Sequence, residues 1–499
     1  MTRSRPMLKR MVRRAGVTVI VVLVMIVSSL ALAYMIGRSQ VATIRLQDNS
    51  DLNLLARQAA MTGFANGLRS MFEANWAGVG TPIRTTLNSQ QSFSVTYTTG
   101  DALLSATDPN WPYRVTILVV GTAVDLAHPV SATYKIQAVV QLLPRQLAAE
   151  PANWATMLQY TVYQYAAGTF EVQLPSRIAG NVFVQGPLQL ATDYPPSSSG
   201  QQQYLSDINS MQFFGYGDNR PLTGTVVSST GSLLTSLLNT LLGLLGISTS
   251  SGSAPSNSTW AYPGQIVSYQ LYPGGQTYTV PLVSSSLQNT TLAASPRSNP
   301  LGIFYSSGTV TLGNNVTLTG TLWSGGDVVV SGTNVVLQPL ALPALQGSTQ
   351  GVQLPTVIAA SNFKVSSLAQ ATVGGLISCW NSFDVLPGSQ KTSFGMQGRL
   401  ICNGCLFEDR TEWQLTGTQW SSTWSQFNNQ QGWSWIWFYP QWLQQKNGLS
   451  YTPSLTIVPE TTPVTYHWKD TTSPVYVPNS SDPGLRWTLV RWTDNVSSH

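Results

Sequence analysis

Residues 13–40 read RRAGVTVIVVLVMIVSSLALAYMIGRSQ, and this stretch decides how the rest of the chain is interpreted. The part from Ala15 to Gly37 carries no charge over about 23 residues, which as a helix span roughly 34 Å, enough to cross a bilayer. Basic residues precede it without an acidic one among them, so the positive-inside rule places residues 1–14 in the cytoplasm and everything after Arg38 outside. The basic residues are Arg3, Arg5, Lys9, Arg10, Arg13 and Arg14.

Net charge excludes one class of partner. The chain has 25 basic and 20 acidic residues. Without the six basic residues of the leader, 19 basic residues face 20 acidic ones, so the exported part is close to neutral. It has no run of Lys or Arg, and a nucleic-acid-binding surface needs one. We therefore expect a membrane partner and no nucleic acid.

The helix is predicted to continue beyond the membrane to about Trp76, because no helix breaker intervenes. Leu54, Met61 and Leu68 recur at seven-residue spacing, with Phe64 and Met71 offset by three, so this part is amphipathic. The stripe predicts a packing surface for a small sheet or for other subunits. Five charged residues are left for the solvent-facing side: Arg45, Asp48, Asp51, Arg57 and Arg69.

Strand patterns follow the helix. Residues 92–99 (SFSVTYTT), 113–126 (YRVTILVVGTAVDL) and 133–143 (TYKIQAVVQLL) are alternating or β-branched and predict a small antiparallel sheet packed on the helix. Residues 152–168 (ANWATMLQYTVYQYAAG) predict a short helix that ends at Gly168. Residues 38–170 would thus form an α+β module.

From residue 171 to about 410 the pattern has a six-residue period. In GTVTLGNNVTLTGTLWSGGDVVVSGTNVVLQ (308–338), the residues Val310, Val316, Leu322 and Val328 are six apart. Short strands joined by Gly and Asn turns at fixed intervals are typical of a parallel β-helix, in which each coil pairs with the next. An ordinary sandwich of short strands is the alternative. The predicted fold class is α+β and mainly β.

Two segments interrupt or follow this pattern. Within an insertion at about residues 200–300, SLLTSLLNTLLGLLG (232–246) predicts an amphipathic helix that caps the apolar end of the solenoid, lies on the membrane or docks another subunit. Residues 411–499 predict a tryptophan-rich cap, since buried Trp is common there. Stacking on glycans by Trp433, Trp435 and Trp437 is the other interpretation.

Catalytic and cofactor motifs are absent from the sequence. It contains no nucleophile elbow, zinc-protease, P-loop or dinucleotide motif, and His128 and His467 lie in no supporting motif for a triad. Asp327, Asp384, Glu408 and Asp409 are candidate catalytic carboxylates only because they lie near one another, and exposed acids in turns are the favoured interpretation. We predict a protein that is not an enzyme and that needs no metal or cofactor.

Cysteine gives a local signal. The chain has 3 cysteines, too few for a disulfide framework. Cys402 and Cys405 form a C-x-x-C motif that lacks the second pair of a zinc site and the helix start of a redox motif. In an oxidising compartment, a disulfide of Cys379 with Cys402 or Cys405 is predicted.

The stretch KRMVRRAG, followed by the apolar run and the amphipathic helix, resembles the amino-terminal region of minor type IV pilins and secretion pseudopilins. The resemblance covers about the first 75 residues well, and the strands to about Leu143 in outline. It implies cleavage after Gly16, leaving Val17 as the new terminus, and helix packing in a filament. Val17 stands where Phe is usual, and Val21 stands where major pilins carry a Glu.

The six-residue block resembles the β-helix of bactofilins, which assemble end to end. Here the insertion and the tryptophan-rich end would blunt such assembly, so the resemblance implies a single large head rather than a polymer of solenoids.

Three interpretations of the amino-terminal segment remain open. It is a secretory signal cleaved after Ala33 in an A-x-A-like site, a plain signal anchor, or an assembly helix of a pilin-like subunit. The assembly helix predicts a structural or adhesive component of an envelope filament or secretion apparatus in the bacterial inner membrane, with Val21, Leu54, Met61 and Leu68 as its contact surface. The cleaved signal predicts instead an exported β-helix protein that binds or degrades polysaccharide.

Overall fold

A long helix, α1, occupies Leu8–Ser70 and contains 63 residues. The chain has no proline between Pro6 and Pro82, so nothing in the sequence interrupts its hydrogen-bond ladder. The predicted continuation of the apolar helix into a folded part of the chain is confirmed. The computed structural model describes residues 8–73, 76–126, 130–143, 157–168, 170–172, 176–186, 188–190, 225–228, 249–251, 262–272, 274–342, 351–366, 368–385, 392–407, 455–461, 464–466 and 486–494.

Short strands make up most of the remaining described structure, together with a 3-10 turn at Trp111–Tyr113. The strands are β1 Ile83–Thr86, β2 Gln91–Thr99, β3 Arg114–Val124, β4 Ser131–Leu143, β5 Val162–Gln164, β6 Phe170–Val172, β7 Ser176–Ile178, β8 Val182–Val184, β9 Leu188–Leu190, β10 Val226–Ser228, β11 Thr249–Ser251, β12 Ser268–Gln270, β13 Thr277–Thr279, β14 Ser286–Leu287, β15 Thr290–Ala293, β16 Ile303–Ser306, β17 Val310–Leu312, β18 Val316–Thr319, β19 Thr321–Ser324, β20 Val328–Val330, β21 Val335–Gln338, β22 Ala341–Leu342, β23 Gly351–Gln353, β24 Val357–Ala359, β25 Phe363–Val365, β26 Gln370–Cys379, β27 Ser382–Val385, β28 Ser393–Cys402, β29 Gly404–Phe407, β30 Leu455–Val458, β31 Val464–Tyr466 and β32 Arg486–Asp494.

The small sheet is antiparallel, in the order β1-β2-β3-β4-β32. Strands β2, β3 and β4 confirm the three predicted strands. Alternate residues of β3 and β4 face the core, because successive side chains of a strand point to opposite faces. The fully buried ones include Ile117, Val119, Ile136, Ala138 and Val140.

Parallel strands dominate the rest of the described chain. One sheet has fourteen strands and another has eight, and every described pairing within them is parallel. Val310 pairs in register with Val328, so three six-residue steps bring the chain back to the neighbouring strand. The predicted inward positions Val310, Val316, Leu322 and Val328 are buried in a core that both sheets share. We call these two sheets and their core the parallel stack.

Strand order in the parallel stack does not follow the chain. Strand β6 pairs with β29, and β5 pairs with β28, so residues 162–172 lie beside residues 400–407. Strand β30 pairs on one side with β28 and on the other with β7. The segment between β4 and β32 thus builds the whole parallel stack, and the chain then returns to finish the small sheet.

Asparagine turns repeat along one edge of the parallel stack. Asn289, Asn315 and Asn334 all have positive φ, of 49°, 57° and 58°. Asparagine tolerates this left-handed conformation better than most residues. The Asn315 amide donates to Asn289 Oδ1 at 2.9 Å, and the Asn334 amide donates to Asn315 Oδ1 at 3.1 Å. The same side chain therefore turns the chain and bonds successive turns to one another.

The predicted helix at residues 152–168 does not reach Gly168. Strand β5 occupies Val162–Gln164, in register with Leu400 and its neighbours in β28. The β-branched Val162 and the aromatic Tyr163 favour a strand, and burial in the parallel stack overrides the helical pattern. The predicted helix at 232–246, Trp433, Trp435 and Trp437 lie outside the described residues.

Candidate functional site

The first half of α1 is an apolar helix with nothing packed on it in the described structure. Every side chain from Val19 to Ile36 is exposed, with Val21 at 47%. The segment is long and apolar enough to span a membrane. Leaving so many large apolar side chains in water would cost on the order of 10 kcal/mol or more. This part of the helix therefore needs an apolar environment.

The second half of α1 packs on the small sheet through small residues. The side of the helix that faces the sheet carries Ala56, Ala60, Gly63 and Gly67, all buried. A Cβ atom on Gly63 would lie only 2.8 Å from Val119 Cγ1, so the helix approaches the strands more closely than any larger residue would allow.

Polar contacts fix the position of the helix on the sheet. The Tyr97 hydroxyl donates to the Gly67 carbonyl at 2.9 Å, and the Gln91 amide donates to the Leu55 carbonyl at 2.9 Å. At the end of the helix, the Trp487 indole N–H donates to the Met71 carbonyl at 3.3 Å. Side chains from β2 and β32 therefore bond to helix carbonyls along its packed length.

The predicted contact stripe divides between two sides of the helix. Phe64 and Leu68 are partly buried against the core of the small sheet, whereas Leu54 and Met61 are 64% and 40% exposed. The expectation that Leu54 and Met61 pack on the sheet is wrong, because the small residues occupy that side. Both remain available on the opposite side of the helix. The charged residues predicted for the solvent are exposed.

Asp101 joins the carboxyl-terminal strand to the small sheet. Its carboxylate is 1% exposed and accepts from Arg114 at 2.9 Å and from Arg491 at 2.7 Å. The Leu103 backbone N–H also donates to it, at 3.0 Å. Burial disfavours its charge, but these hydrogen bonds outweigh burial and lower the pKa of Asp101. Sequence reasoning missed this cluster, since the three charged residues are far apart along the chain.

A polar row crosses strands β20, β25 and β27 of the parallel stack. Lys364 Nζ lies 2.7 Å from Asp327 Oδ2, and the Asn362 amide donates to Asp327 Oδ1 at 2.9 Å. Burial opposes the charge of Asp327, but these bonds lower its pKa to about 2. Asp384 accepts from the Ser382 hydroxyl at 2.8 Å, and burial raises the pKa of Asp384. Two of the four candidate carboxylates, Asp327 and Asp384, thus belong to one hydrogen-bond network.

All three cysteines lie together in the core of the parallel stack. Cys379, Cys402 and Cys405 are buried, and all are free thiols. The predicted disulfide from Cys379 is therefore absent from the structure, in which the shortest described contact joins the sulfurs of Cys402 and Cys405 at 3.0 Å. Cys379 Sγ lies 3.8 Å from the Ile401 carbonyl oxygen.

For the remaining predicted site residues, the structure describes no side-chain contacts. Gly16 and Val17 lie within α1, and nothing is described of their side chains. His128, His467, Glu408 and Asp409 lie outside the described residues. Among the residues that the structure describes, no group of three or more His, Cys, Asp and Glu side chains is placed to hold a metal ion.

Comparisons with protein-family models, with curated proteins and with solved structures found no match.

Proposed function

We propose that this chain is a single-pass membrane protein that serves as a pilin-like structural or adhesive subunit of an envelope filament or secretion assembly. Helix α1 would anchor it in the bacterial inner membrane, with the amino terminus in the cytoplasm and the small sheet and parallel stack outside. The parallel stack would be a β-helix-like head. Its role is structural rather than catalytic, with other pilin-like subunits as partners.

One observation carries this proposal: a single unbroken helix is exposed and apolar over its first half and is part of the core of a folded sheet over its second half. A cleaved export signal has no need to continue into a core helix. An assembly helix does, because the subunit's head must be held at a fixed position relative to its neighbours. Since lipid gives little hydrophobic drive between helices, packing of apolar side chains must supply the contact within the membrane.

The proposal of a β-helix is supported by register. Val310 pairs with Val328 after 18 residues, and Phe363 pairs with Phe383 after 20. The rings of Phe363 and Phe383 stack with their centroids 5.2 Å apart and an interplanar angle of 4°. Such layered, in-register stacking of like residues is expected where each turn of the chain lies on the previous one.

Sequencing the mature amino terminus of the protein isolated from membranes tests the proposal. A terminus at Val17 is expected for a pilin-like subunit, and one at Met1 for a plain anchor. A soluble species beginning at Tyr34 would exclude both, since the apolar half of α1 would then have been removed.

Charge on the exposed side of the assembly helix should disrupt the proposed contact. We expect Leu54→Glu or Met61→Glu to reduce co-purification of partner pilin-like subunits by about tenfold, which corresponds to about 1.4 kcal/mol, without loss of folding. Both side chains are exposed in the subunit, so a buried charge would arise only in the assembly. The measurement is quantitative mass spectrometry of partners recovered with the tagged chain.

A matched control introduces the same charge elsewhere on the helix. Asn66→Glu places a carboxylate at an exposed position turned away from Leu54 and Met61. Its recovery of partners should equal that of the wild type. Equal recovery for Leu54→Glu and Met61→Glu would remove the assembly surface from the proposal.

Carbohydrate binding by the head is the second candidate, and Trp380 favours it. This indole is 40% exposed and is followed by Asn381 and by Ser382, which belongs to the polar row. An aromatic face beside amide and hydroxyl groups suits a sugar ring. A glycan-array screen of the wild type against Trp380→Ala would detect such binding, and absence of binding by both proteins would reject it.

A further inference from the structure

Two of the three thiols lie where one strand turns into the next. Cys402 is the last residue of β28, and Cys405 lies in β29, with only Asn403 and Gly404 between them. Strand β28 belongs to the fourteen-stranded sheet and β29 to the eight-stranded sheet, so the turn joins the two sheets of the parallel stack. Both side chains point into the shared core, and their sulfurs are 3.0 Å apart.

We propose that Cys402 and Cys405 form a disulfide in the mature protein and that Cys379 stays a free, buried thiol. This pairing differs from both pairings that the sequence suggested. A disulfide holds its sulfurs at about 2.05 Å, so the two thiols need to close by only about 1 Å, which side-chain rotation within the turn can supply.

The position of Cys379 argues against its taking part. Ser378 is in register with Ile401, which places Cys379 beside Cys402 on the neighbouring parallel strand. The contact between the sulfurs of Cys402 and Cys405 is 3.0 Å, whereas Cys379 Sγ is directed to the Ile401 carbonyl oxygen at 3.8 Å. A bridge from Cys402 to Cys405 closes within a single turn and leaves the pairing of β26 with β28 unchanged, whereas a bridge from Cys379 would have to cross between these two strands.

The reaction needs an oxidant, which is the disulfide form of a thiol–disulfide exchange protein or of a low-molecular-weight thiol such as glutathione. The thiolate of one cysteine attacks that disulfide and forms a mixed disulfide, releasing one thiol of the donor. The second cysteine loses its proton and attacks the mixed disulfide, which forms the bond between Cys402 and Cys405 and releases the other donor thiol. The donor gains two electrons and two protons, and the two cysteines lose them.

Burial sets when this exchange can happen. All three thiols are buried, and burial raises the pKa of each, so the folded core holds them as unreactive thiols away from any donor. The bond must therefore form before the parallel stack closes and is protected afterwards. Formation in the cell rests on the proposed export, because disulfides persist in oxidising compartments.

Peptide mapping of the wild-type full-length chain tests the pairing directly. Free thiols are alkylated under denaturing conditions without reductant, and the chain is then digested with trypsin. Cleavage after Arg399 and Arg410 places Cys402 and Cys405 on one peptide, 400–410, while Cys379 lies on another, 365–391. We expect peptide 400–410 unalkylated and lighter by two hydrogen atoms, and peptide 365–391 fully alkylated. Peptides 365–391 and 400–410 joined to each other, or three alkylated cysteines after oxidative refolding, would overturn the proposal.

A second measurement separates the pairing from the export. The reduced, denatured full-length chain is refolded in detergent with reduced and oxidised glutathione and mapped in the same way. A bond formed on refolding but absent from protein isolated from cells supports the pairing and counts against export. Reductant without denaturant should leave the bond intact in the folded chain.

Variants give a control. Cys379→Ala should keep the bond, and Cys402→Ala should abolish it, leaving Cys379 and Cys405 alkylated. The wild-type map remains decisive if either variant folds poorly.

Discussion

At the scale of single residues, Asp101 shows how a buried charge ties distant parts of the chain together. Two arginines, one from β3 and one from β32, converge on its carboxylate, so the ion cluster forms only when the carboxyl-terminal strand is in place. A buried carboxylate without partners would be strongly unfavourable. The stability of the small sheet therefore depends on strand β32, which supplies Arg491.

Asp101→Asn is expected to lower the free energy of unfolding by about 3 kcal/mol at neutral pH, since two partly buried guanidinium groups lose their counter-charge. Because the pKa of Asp101 is lowered in the folded state from its ordinary 3.8, its contribution is present above that pH and is lost as pH falls. Urea unfolding of the detergent-solubilised chain at pH 7 and pH 3 measures both effects. Glu73→Gln, in an exposed pair with Arg69, should change stability by less than about 0.5 kcal/mol.

Replacing Asp327 and Asp384 by asparagine should change the stability of the protein in opposite directions, although both belong to one network. Asp327→Asn should cost about 1 to 2 kcal/mol at pH 7, since its ionised form is held by Lys364 and Asn362. Asp384→Asn should raise the melting temperature at pH 7, because a raised pKa means that the folded state favours the protonated form. That gain should vanish at acidic pH, where the wild type is protonated too. Thermal melts against pH would contradict this if both variants changed in the same direction.

At the scale of elements, the contact between α1 and β3 depends on small residues on both sides. A Cβ atom on Gly121 of β3 would lie 2.2 Å from the Ala56 carbonyl oxygen and 2.4 Å from the Ala60 nitrogen. Both atoms belong to the helix backbone, which cannot move aside as a side chain can. The close approach therefore needs glycine on the strand as well as alanine and glycine on the helix.

Gly121→Ala is expected to destabilise the protein by about 1 to 3 kcal/mol, the usual cost of overpacking a core. The melting temperature of the solubilised chain measures it. Gly308→Ala is the matched control, since a Cβ atom there meets nothing within 4 Å. A cost at Gly308 equal to that at Gly121 would show that lost glycine flexibility, rather than helix packing, is responsible.

Much of this element scale could be predicted from the sequence, because it is governed by local periodicity. The unbroken apolar run gave α1, alternation gave β2, β3 and β4, and the six-residue period gave the buried positions Val310 to Val328. The spacing of Leu54 and Met61 predicts the wrong side of α1 as the one that packs on the sheet, because it gives large apolar residues more weight than small ones. Ala56, Ala60, Gly63 and Gly67, spaced by three or four, were the available signal.

The candidate site was harder to predict, because its contacts are non-local. The carboxylate of Asp101 meets an arginine 390 positions further along the chain, and Lys364 meets Asp327 only through the register of parallel strands. The local pattern predicts a helix where strand β5 forms, because the partner of β5, strand β28, lies more than two hundred residues away. No sequence period reports such pairings.

At the scale of the whole molecule, the parallel stack is an insertion into the small sheet. The chain leaves the sheet at the end of β4 and re-enters it as β32, which pairs with β4 over Ile136–Leu143. Trp487 of β32 is buried in the core, and Trp492 packs edge-on against Phe64 of α1 at 4.6 Å. The second half of α1 and strand β32 therefore share one core.

Truncation before Arg486 should destabilise the small sheet although it leaves α1 and β1 to β4 intact. Loss of β32 uncovers the edge of β4, removes Trp487 from the core and leaves Asp101 with one arginine, so we expect a loss of more than about 3 kcal/mol and aggregation. Limited proteolysis and the melting temperature report the effect. Truncation after Asp494, which keeps β32, should match the full-length chain in both measurements.

The return of β32 beside β4 also determines how the protein responds to tension. Arg486 is in register with Leu143, so both strands that connect to the parallel stack leave the small sheet at the same end. A pull on the parallel stack along these strands loads the hydrogen bonds between β3 and β4, which run perpendicular to the strands, in shear and all together rather than one after another. Under tension, the parallel stack would thus stay attached to α1 until the whole ladder between β3 and β4 breaks.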